Sequence, residues 1–270
     1  MALNHSDYSA YAELVVTREG RVATVMLNRP NALNAVSDEM HHELARVFYQ
    51  LADDKEIAVV VLTGSGKAFS AGGDIPWMEQ MVKSLPLHLD NLRVAQRIIM
   101  GILECPKPIV CRLNGDAIGL GASIALVCDM IIATDTARIA DPHVKIGLVA
   151  GDGGALIWPQ LIGYAKAKEF LLTGSAVAAP EAARMGLINY SVTADELDAT
   201  VQRFVDKLLA VSASAAGYTK LAINLPLRQA VHSVLELSNA FEGLSMLQND
   251  DWKEGIKAFS EGRAPKFHKD

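Results

Sequence analysis

Two glycine-rich stretches are the residues of this chain whose types and spacing fit chemistry. The stretches are Phe69-Ser70-Ala71-Gly72-Gly73-Asp74 and Asn114-Gly115-Asp116-Ala117-Ile118-Gly119-Leu120-Gly121. Each follows a run that reads as a buried strand and leads into an apolar segment that reads as a helix. Backbone N–H groups exposed at two such turns can converge on one negatively charged oxygen. That arrangement suits an enolate or a tetrahedral intermediate. The competing reading keeps both stretches as tight strand-to-helix turns and nothing more. His143 is a capable proton carrier, because an unperturbed imidazole titrates close to neutral pH. Asp152 follows nine residues later, in Ala150-Gly151-Asp152-Gly153-Gly154. Standing ahead of Gly153-Gly154, it suits the cap of the helix starting at the glycines. For His143 itself a merely structural role is the competing description.

The elements that must position these residues alternate between strand and helix. Residues 13–18 and 21–28 read as a hairpin joined at Glu19-Gly20. Ser37 suits the N-cap of a helix running to about Leu51, with Met40, Leu44, Val47 and Leu51 at helical spacing. Residues 57–63 form a solid apolar, β-branched run, the pattern of a strand buried on both faces. Pro76 suits the first turn of a helix that continues, broken near Pro86, to about Leu103. Residues 108–113, 130–134 and 137–140 read as further strands, with a short helix reaching Val127 between the first two. Beyond Gly151 the pattern turns mainly helical, with one strand at 187–192 and helices at 195–211, 227–248 and 251–261. The expected outcome is an α/β fold with right-handed connections and a mostly parallel sheet.

Half of the 270 residues are hydrophobic, 21% are charged and the net charge is −6. This balance argues against a nucleic-acid surface. The three cysteines, Cys105, Cys111 and Cys128, form no CxxC pair and read as reduced core thiols. The polar start, residues 1–10, lacks the apolar core of a secretory signal, and the apolar stretch 119–133 is too short to span a bilayer. A cytoplasmic location is the expectation. His41 and His42 read as part of a solvated helix and His268 as tail, and no histidine pair has metal-ligand spacing, so no catalytic metal is expected.

Taken in order, several segments resemble the crotonase superfamily, the enoyl-CoA hydratase/isomerase family. They are Leu27-Asn28-Arg29-Pro30-Asn31-Ala32-Leu33-Asn34-Ala35, Lys67 to Ile75, Asn114-Gly115, Cys128-Asp129, Gly147-Leu148, Leu172-Thr173-Gly174, Gly186-Leu187-Ile188-Asn189 and Glu254-Gly255-Ile256 with Ala258-Phe259 and Arg263. The match runs from about Glu13 to Phe267. It implies a crotonase-like spiral of ββα units over residues 1–200, carrying the coenzyme A and active sites. Residues 201–270 would form a helical trimerisation region, giving homotrimers or hexamers built as dimers of trimers. The ligand implied is an acyl-CoA, with coenzyme A as part of the substrate and no covalently bound cofactor, nucleic acid or membrane.

By position, the resemblance assigns the oxyanion hole to the backbone amides of Ala71 and Leu120. Substrate and CoA contacts fall to Arg29, Ala32, Lys67, Ala68 and Phe69, and further to Asp74, Ile75, Trp77, Gly119 and Ser123. Solvated surface charge is the competing description of Arg29 and Lys67. Trp77, Met78 and Met81 read equally as an apolar acyl pocket or as core. The two glutamates that hold water in family hydratases fall at Ser123 and His143 here, and Ser123 also reads as a small packing residue. Family isomerases and dehalogenases place a carboxylate at or close to Asp152, and the resemblance so implies that Asp152 is the orienting partner of His143 or a base in its own right. Isomerisation, which needs one base and an oxyanion hole, is therefore favoured over standard hydration. A family branch that hydrolyses carbon–carbon bonds of β-diketones and cyclic ketones pairs a histidine and aspartate at this spacing with a glutamate, here Glu242. That branch's further histidine is absent, since Leu120 stands there. A non-catalytic CoA-binding or assembly protein is the third reading.

Overall fold

Residues 7–81, 84–248 and 250–267 are described by a computed structural model. The hairpin forms as the sequence predicts. Strand β1 (Leu14–Glu19) pairs antiparallel with β2 (Val22–Leu27), Leu14 facing Leu27. Strand β2 then pairs parallel with β3 (Val59–Gly64), which pairs parallel with β4 (Ile109–Leu113). Strands β6 (Met130–Thr134) and β9 (Tyr190–Val192) complete a six-stranded sheet in the order β1-β2-β3-β4-β6-β9. A second sheet holds β5 (Ala117–Ile118), β7 (Arg138–Ala140) and β8 (Val177–Ala178) in the order β5-β7-β8.

Every residue of β3 is buried, and the alternation of its side chains explains why. Val60 and Leu62 enter the main core, while Val59 and Val61 meet Leu197, Val201 and Val205 of a helix on the other face. A β-branched run with no polar face can only be satisfied by such double coverage.

The helices follow the strands in turn. They are α1 (Asp38–Asp53), α2 (Ile75–Met81), α3 (Leu85–Glu104), α4 (Leu120–Leu126) and α5 (Gly154–Thr173), then α6 (Ala179–Arg184) and α7 (Leu197–Leu209). Ser37 caps α1 by accepting from Met40 N at 3.2 Å. Twice the chain runs from the large sheet into the small one and then into a helix: β4, β5, α4 and then β6, β7, α5. This repeated ββα turn is the expected spiral, with its helices wrapped around two sheets rather than one.

The C-terminal part contains α8 (Ala213–Ile223), α9 (Leu225–Ala230), α10 (Glu236–Gln248) and α11 (Asp251–Ser260). The single helix expected over 227–248 is divided by a π-helical turn, Val231–Leu235, whose ends are fully buried. The α8 helix escaped the sequence reading because its small residues, Ala213 to Gly217, spread apolar character around the whole helix. Helix α11 returns to the first part of the chain, where Trp252 and Ile256 join Trp77, Met78, Met81 and Leu148 in a separate apolar cluster. Among the described residues no helix is long and apolar enough to cross a membrane. His268 and residues 1–6 lie outside the described residues.

Candidate active site

The two glycine loops are joined to one another through main-chain atoms. Ser70 N donates to Asp116 O at 3.1 Å, and Ile118 N donates back to Ser70 O at 3.0 Å. Gly119 then caps α4 with φ +54°, a left-handed conformation that only glycine adopts readily. A Cβ at Gly119 would lie 3.5 Å from His143 Cε1, so the loop runs directly against the imidazole. Leu120 is the first residue of α4, where an N–H has no intrahelical acceptor, and it has none elsewhere among the described residues.

In the first loop the structure corrects the sequence assignment. Ala71 N donates to Leu33 O at 3.0 Å, so this N–H is already engaged and cannot serve an oxyanion. The cause is Leu33, whose left-handed backbone (φ 52°) ends the short helix Pro30–Ala32 and turns its carbonyl toward the loop. Gly72 N donates to Ser70 Oγ at 3.2 Å and Asp74 N to Val36 O at 3.0 Å. Gly73 N–H is the one left in Ala71–Asp74 without an acceptor among the described residues. The available pair is therefore Gly73 and Leu120.

Beside them lies a line of ionisable groups. His143 Nδ1 is 2.5 Å from Asp141 Oδ1, and Nε2 is 3.3 Å from Asp152 Oδ2. Ser123 Oγ donates to Asp152 Oδ1 at 3.0 Å. Burial alone would depress the His143 pKa, but the two carboxylates outweigh it and hold it well above the usual imidazole value. Burial pushes the Asp152 carboxyl up, yet the imidazolium and the Ser123 hydroxyl overcome this and leave it lowered. Helix α5 helps, because a Cβ at Gly154 would overlap the Asp141 carboxylate. That glycine lets Asp141 sit at the helix N-terminus, where partial positive charge favours an anion.

The reading of Asp152 as a helix cap is overturned, since Gly153 caps α5 and no side chain accepts there. Glu242 of α10 reaches the same place, packed against Gly151 with Oε2 lacking a hydrogen bond. Burial, then the negative charge of Asp152 and Asp141, raises its pKa to about 8 against the opposing pull of His143. The surroundings thus favour the cationic form of His143, the anionic form of Asp152 and the neutral form of Glu242. Asp141, His143 and Asp152 present ligand-type atoms all within 4.8 Å of one another, a cluster that sequence spacing did not suggest.

Two cavities meet at this line. An open groove of about 790 Å3 is lined by Ala32, Lys67, Ala68, Ile75 and Gly119, as expected, and also by Arg138 and Lys145. An inner chamber of about 50 Å3 is lined by Asp152, Glu242, Trp77, Met81 and, unexpectedly, His41. Gly73, Met78, Leu120 and His143 border both. Trp77 thus belongs to the chamber and not to the groove.

Four expected contact residues lie elsewhere. Arg29 bonds Glu13 at 3.0 Å, Asp74 at 2.8 Å and Ala35 O at 2.6 Å, and lines neither cavity. Asp74 is held by Arg29, and Phe69 is fully buried in the core. Ser123 lies behind Asp152 as its hydrogen-bond donor. Sequence reasoning also passed over Asn34, whose Nδ2 donates to Ser65 O at 2.8 Å and Ala68 O at 2.9 Å, fastening the first glycine loop.

Comparison with known proteins agrees with this architecture. The enoyl-CoA hydratase/isomerase family model matches residues 17–270. The chain is 33% identical over 253 residues to the short-chain-enoyl-CoA hydratase of Clostridium acetobutylicum, covering 93% of this chain and 95% of that protein. It is 31% identical over 259 residues to the crotonyl-CoA hydratase of Syntrophomonas wolfei, covering 96% and 98%. The crystal structure of an enoyl-CoA hydratase/isomerase from Mycobacterium paratuberculosis superposes with a TM-score of 0.87 at 36% identity, over 91% of this chain and 97% of that one. With near-complete coverage in sequence and in structure, the chain belongs to the enoyl-CoA hydratase/isomerase family of the crotonase superfamily.

Proposed function

We propose that this enzyme holds the thioester oxygen of an acyl-CoA between the N–H groups of Gly73 and Leu120 and moves one proton along the acyl chain. Asp152 takes a proton from a carbon next to the double bond. The electron pair passes into the thioester, whose oxygen gains charge at the two donors. Asp152 and His143 return one proton to the far end of the three-carbon system, and the double bond has shifted. One observation carries this reading: the imidazole sits against Gly119 beside two unengaged donors, with a carboxylate at each of its nitrogens. Ser123 and His143 occupy the positions that the family resemblance implies for the water-holding glutamate pair of hydratases, so hydration would have to recruit carboxyl groups placed differently.

The coenzyme A portion is assigned to the groove, where Lys67 and Lys145 supply cationic side chains at the wall. The proton chemistry is proposed to need no metal, because the imidazole nitrogens already face Asp141 and Asp152. Dialysis against a chelator should leave turnover intact. Self-assembly, a trimer or its pair, is proposed through apolar side chains left exposed on α10, namely Leu237, Phe241, Leu244 and Leu247. Light scattering of the purified protein tests it.

The direct test is turnover of a 3-enoyl-CoA in deuterated water, followed by NMR. A 2-enoyl product carrying one deuterium supports the proposal, and a 3-hydroxyacyl-CoA as the sole product refutes it. A second reading, hydrolysis of a carbon–carbon bond in a β-dicarbonyl or cyclic ketone, is favoured by the protonated Glu242 in the same chamber. Oxygen-18 from water appearing in a ring-opened acid would establish that reading instead.

A further inference from the structure

His41 was expected on a solvated helix face. It is instead fully buried, and neither Nδ1 nor Nε2 has a hydrogen-bond partner. Its neighbour His42 faces solvent. Burial, with His42 adding to it, pushes the His41 pKa down to about 3, so the ring is neutral. A neutral imidazole carries one N–H donor and one acceptor lone pair. Leaving either unmade in a protein interior is destabilising. A leucine at this position would complete the apolar face of α1 without that cost.

The ring is not alone. Trp77 Nε1, from α2, also lacks a partner, and its indole lies 5.2 Å from the His41 ring, centroid to centroid. Asn91 Oδ1, from α3, is a third buried polar atom without one. All three residues line the inner chamber, among Met78, Met81, Leu92 and Leu148. Three helices thus bring unsatisfied polar groups to the wall of one chamber, on the side where Met78, Met81, Leu92 and Leu148 supply its apolar lining. No lysine or arginine lines that chamber, and its one cationic group, His143, is already held between Asp141 and Asp152, so an anionic group would find no free partner there. The indole N–H and an imidazole N–H are both donors, which suits an uncharged acceptor oxygen.

We infer that His41, with Trp77, is a specificity-determining residue that hydrogen-bonds a ketone oxygen carried by the acyl group beyond its thioester carbonyl. The preferred substrates are then oxo-acyl-CoA thioesters rather than plain aliphatic ones. The inference rests on the proposed placement of the acyl group in the chamber. It is tested by comparing ligands of equal chain length within one protein.

Dissociation constants would be measured calorimetrically for pentanoyl-CoA against 4-oxopentanoyl-CoA, and for hexanoyl-CoA against 5-oxohexanoyl-CoA. The wild type should bind at least one oxo ligand roughly tenfold more tightly than its saturated partner. That ratio should fall toward one in H41L and, separately, in W77F. The ratio is insensitive to general damage of the pocket, which would weaken both members of a pair. Should H41L fail to fold, W77F alone decides. Equal binding of both members of each pair by the wild type overturns the inference, as does a preference that survives the substitutions. Failure to bind any of the four acyl-CoA ligands would instead overturn the acyl-CoA reading on which it rests.

Discussion

The groove and the inner chamber share four residues yet differ in how their polar groups are satisfied. Around the groove, Asp116 is paired with Arg138 and Asn114 is bonded to Gly66 O, Ala68 O and Gly64 N. In the chamber Glu242, His41, Trp77 and Asn91 each keep an atom unpaired, beside a histidine held between two carboxylates. A satisfied wall positions a ligand with little energetic tension. Unpaired groups in a small apolar space raise or lower pKa values and leave bonds for a ligand to complete. Binding and chemistry are therefore separable by substitution.

The largest effect is expected from Asp152→Asn, which faces the chamber only. Its kcat should fall by roughly 10²–10⁴-fold, while the dissociation constant of free coenzyme A changes less than about twofold. Parallel losses in both would erase the distinction between the cavities. Next comes Leu120→Pro, at the first position of α4, where proline is well tolerated in a helix. Removing this N–H should lower kcat by roughly 10²–10³-fold with the melting temperature nearly preserved. Unchanged turnover in a folded variant would remove Leu120 from the proposed donor pair.

Glu242 offers a test of charge rather than geometry. Its folded pKa is raised to about 8, so the native state holds a proton that the unfolded chain releases above the ordinary carboxyl range. The associated stability is present at low pH and is lost as pH rises toward 8. Thermal melts should therefore decline less steeply between pH 5 and 8 in Glu242→Gln than in the wild type. The smallest effect is assigned to the groove: Lys67→Ala should raise the KM for an acyl-CoA roughly threefold, more at low salt, and leave kcat alone. A drop in kcat there would mean that the outer wall takes part in the chemistry.

Much of this was legible in the sequence, and the parts that were not have specific causes. The hairpin, the doubly buried β3 and the Ser37 cap follow from local pattern, and the His143–Asp152 pairing from the family resemblance. Ala71 could not be told from Gly73, because the difference is made by Leu33 O, which reaches the loop from a distant turn. Arg29 and Asp74 resembled ligand contacts until tertiary structure placed them against one another. Asp141, one residue before a proline, drew no attention although it holds the imidazole most closely. For His41 the signal was present: Leu44, Ala45 and Phe48 stand three, four and seven residues further on, the spacing of the buried face. The Met40–Leu44–Val47–Leu51 register, taken alone, leaves His41 off the buried face.

The stitching of Ser70 to Asp116 and Ile118 has a consequence for how such a protein can diverge. Because main-chain bonds join the two loops directly, braced by the Asn34 and Asn114 amides, the other side chains nearby are free to be exchanged without retuning the separation of the loops. Acids, bases and pocket walls can turn over around a fixed electrostatic anchor, so a new reaction requires replacing only the groups that move protons.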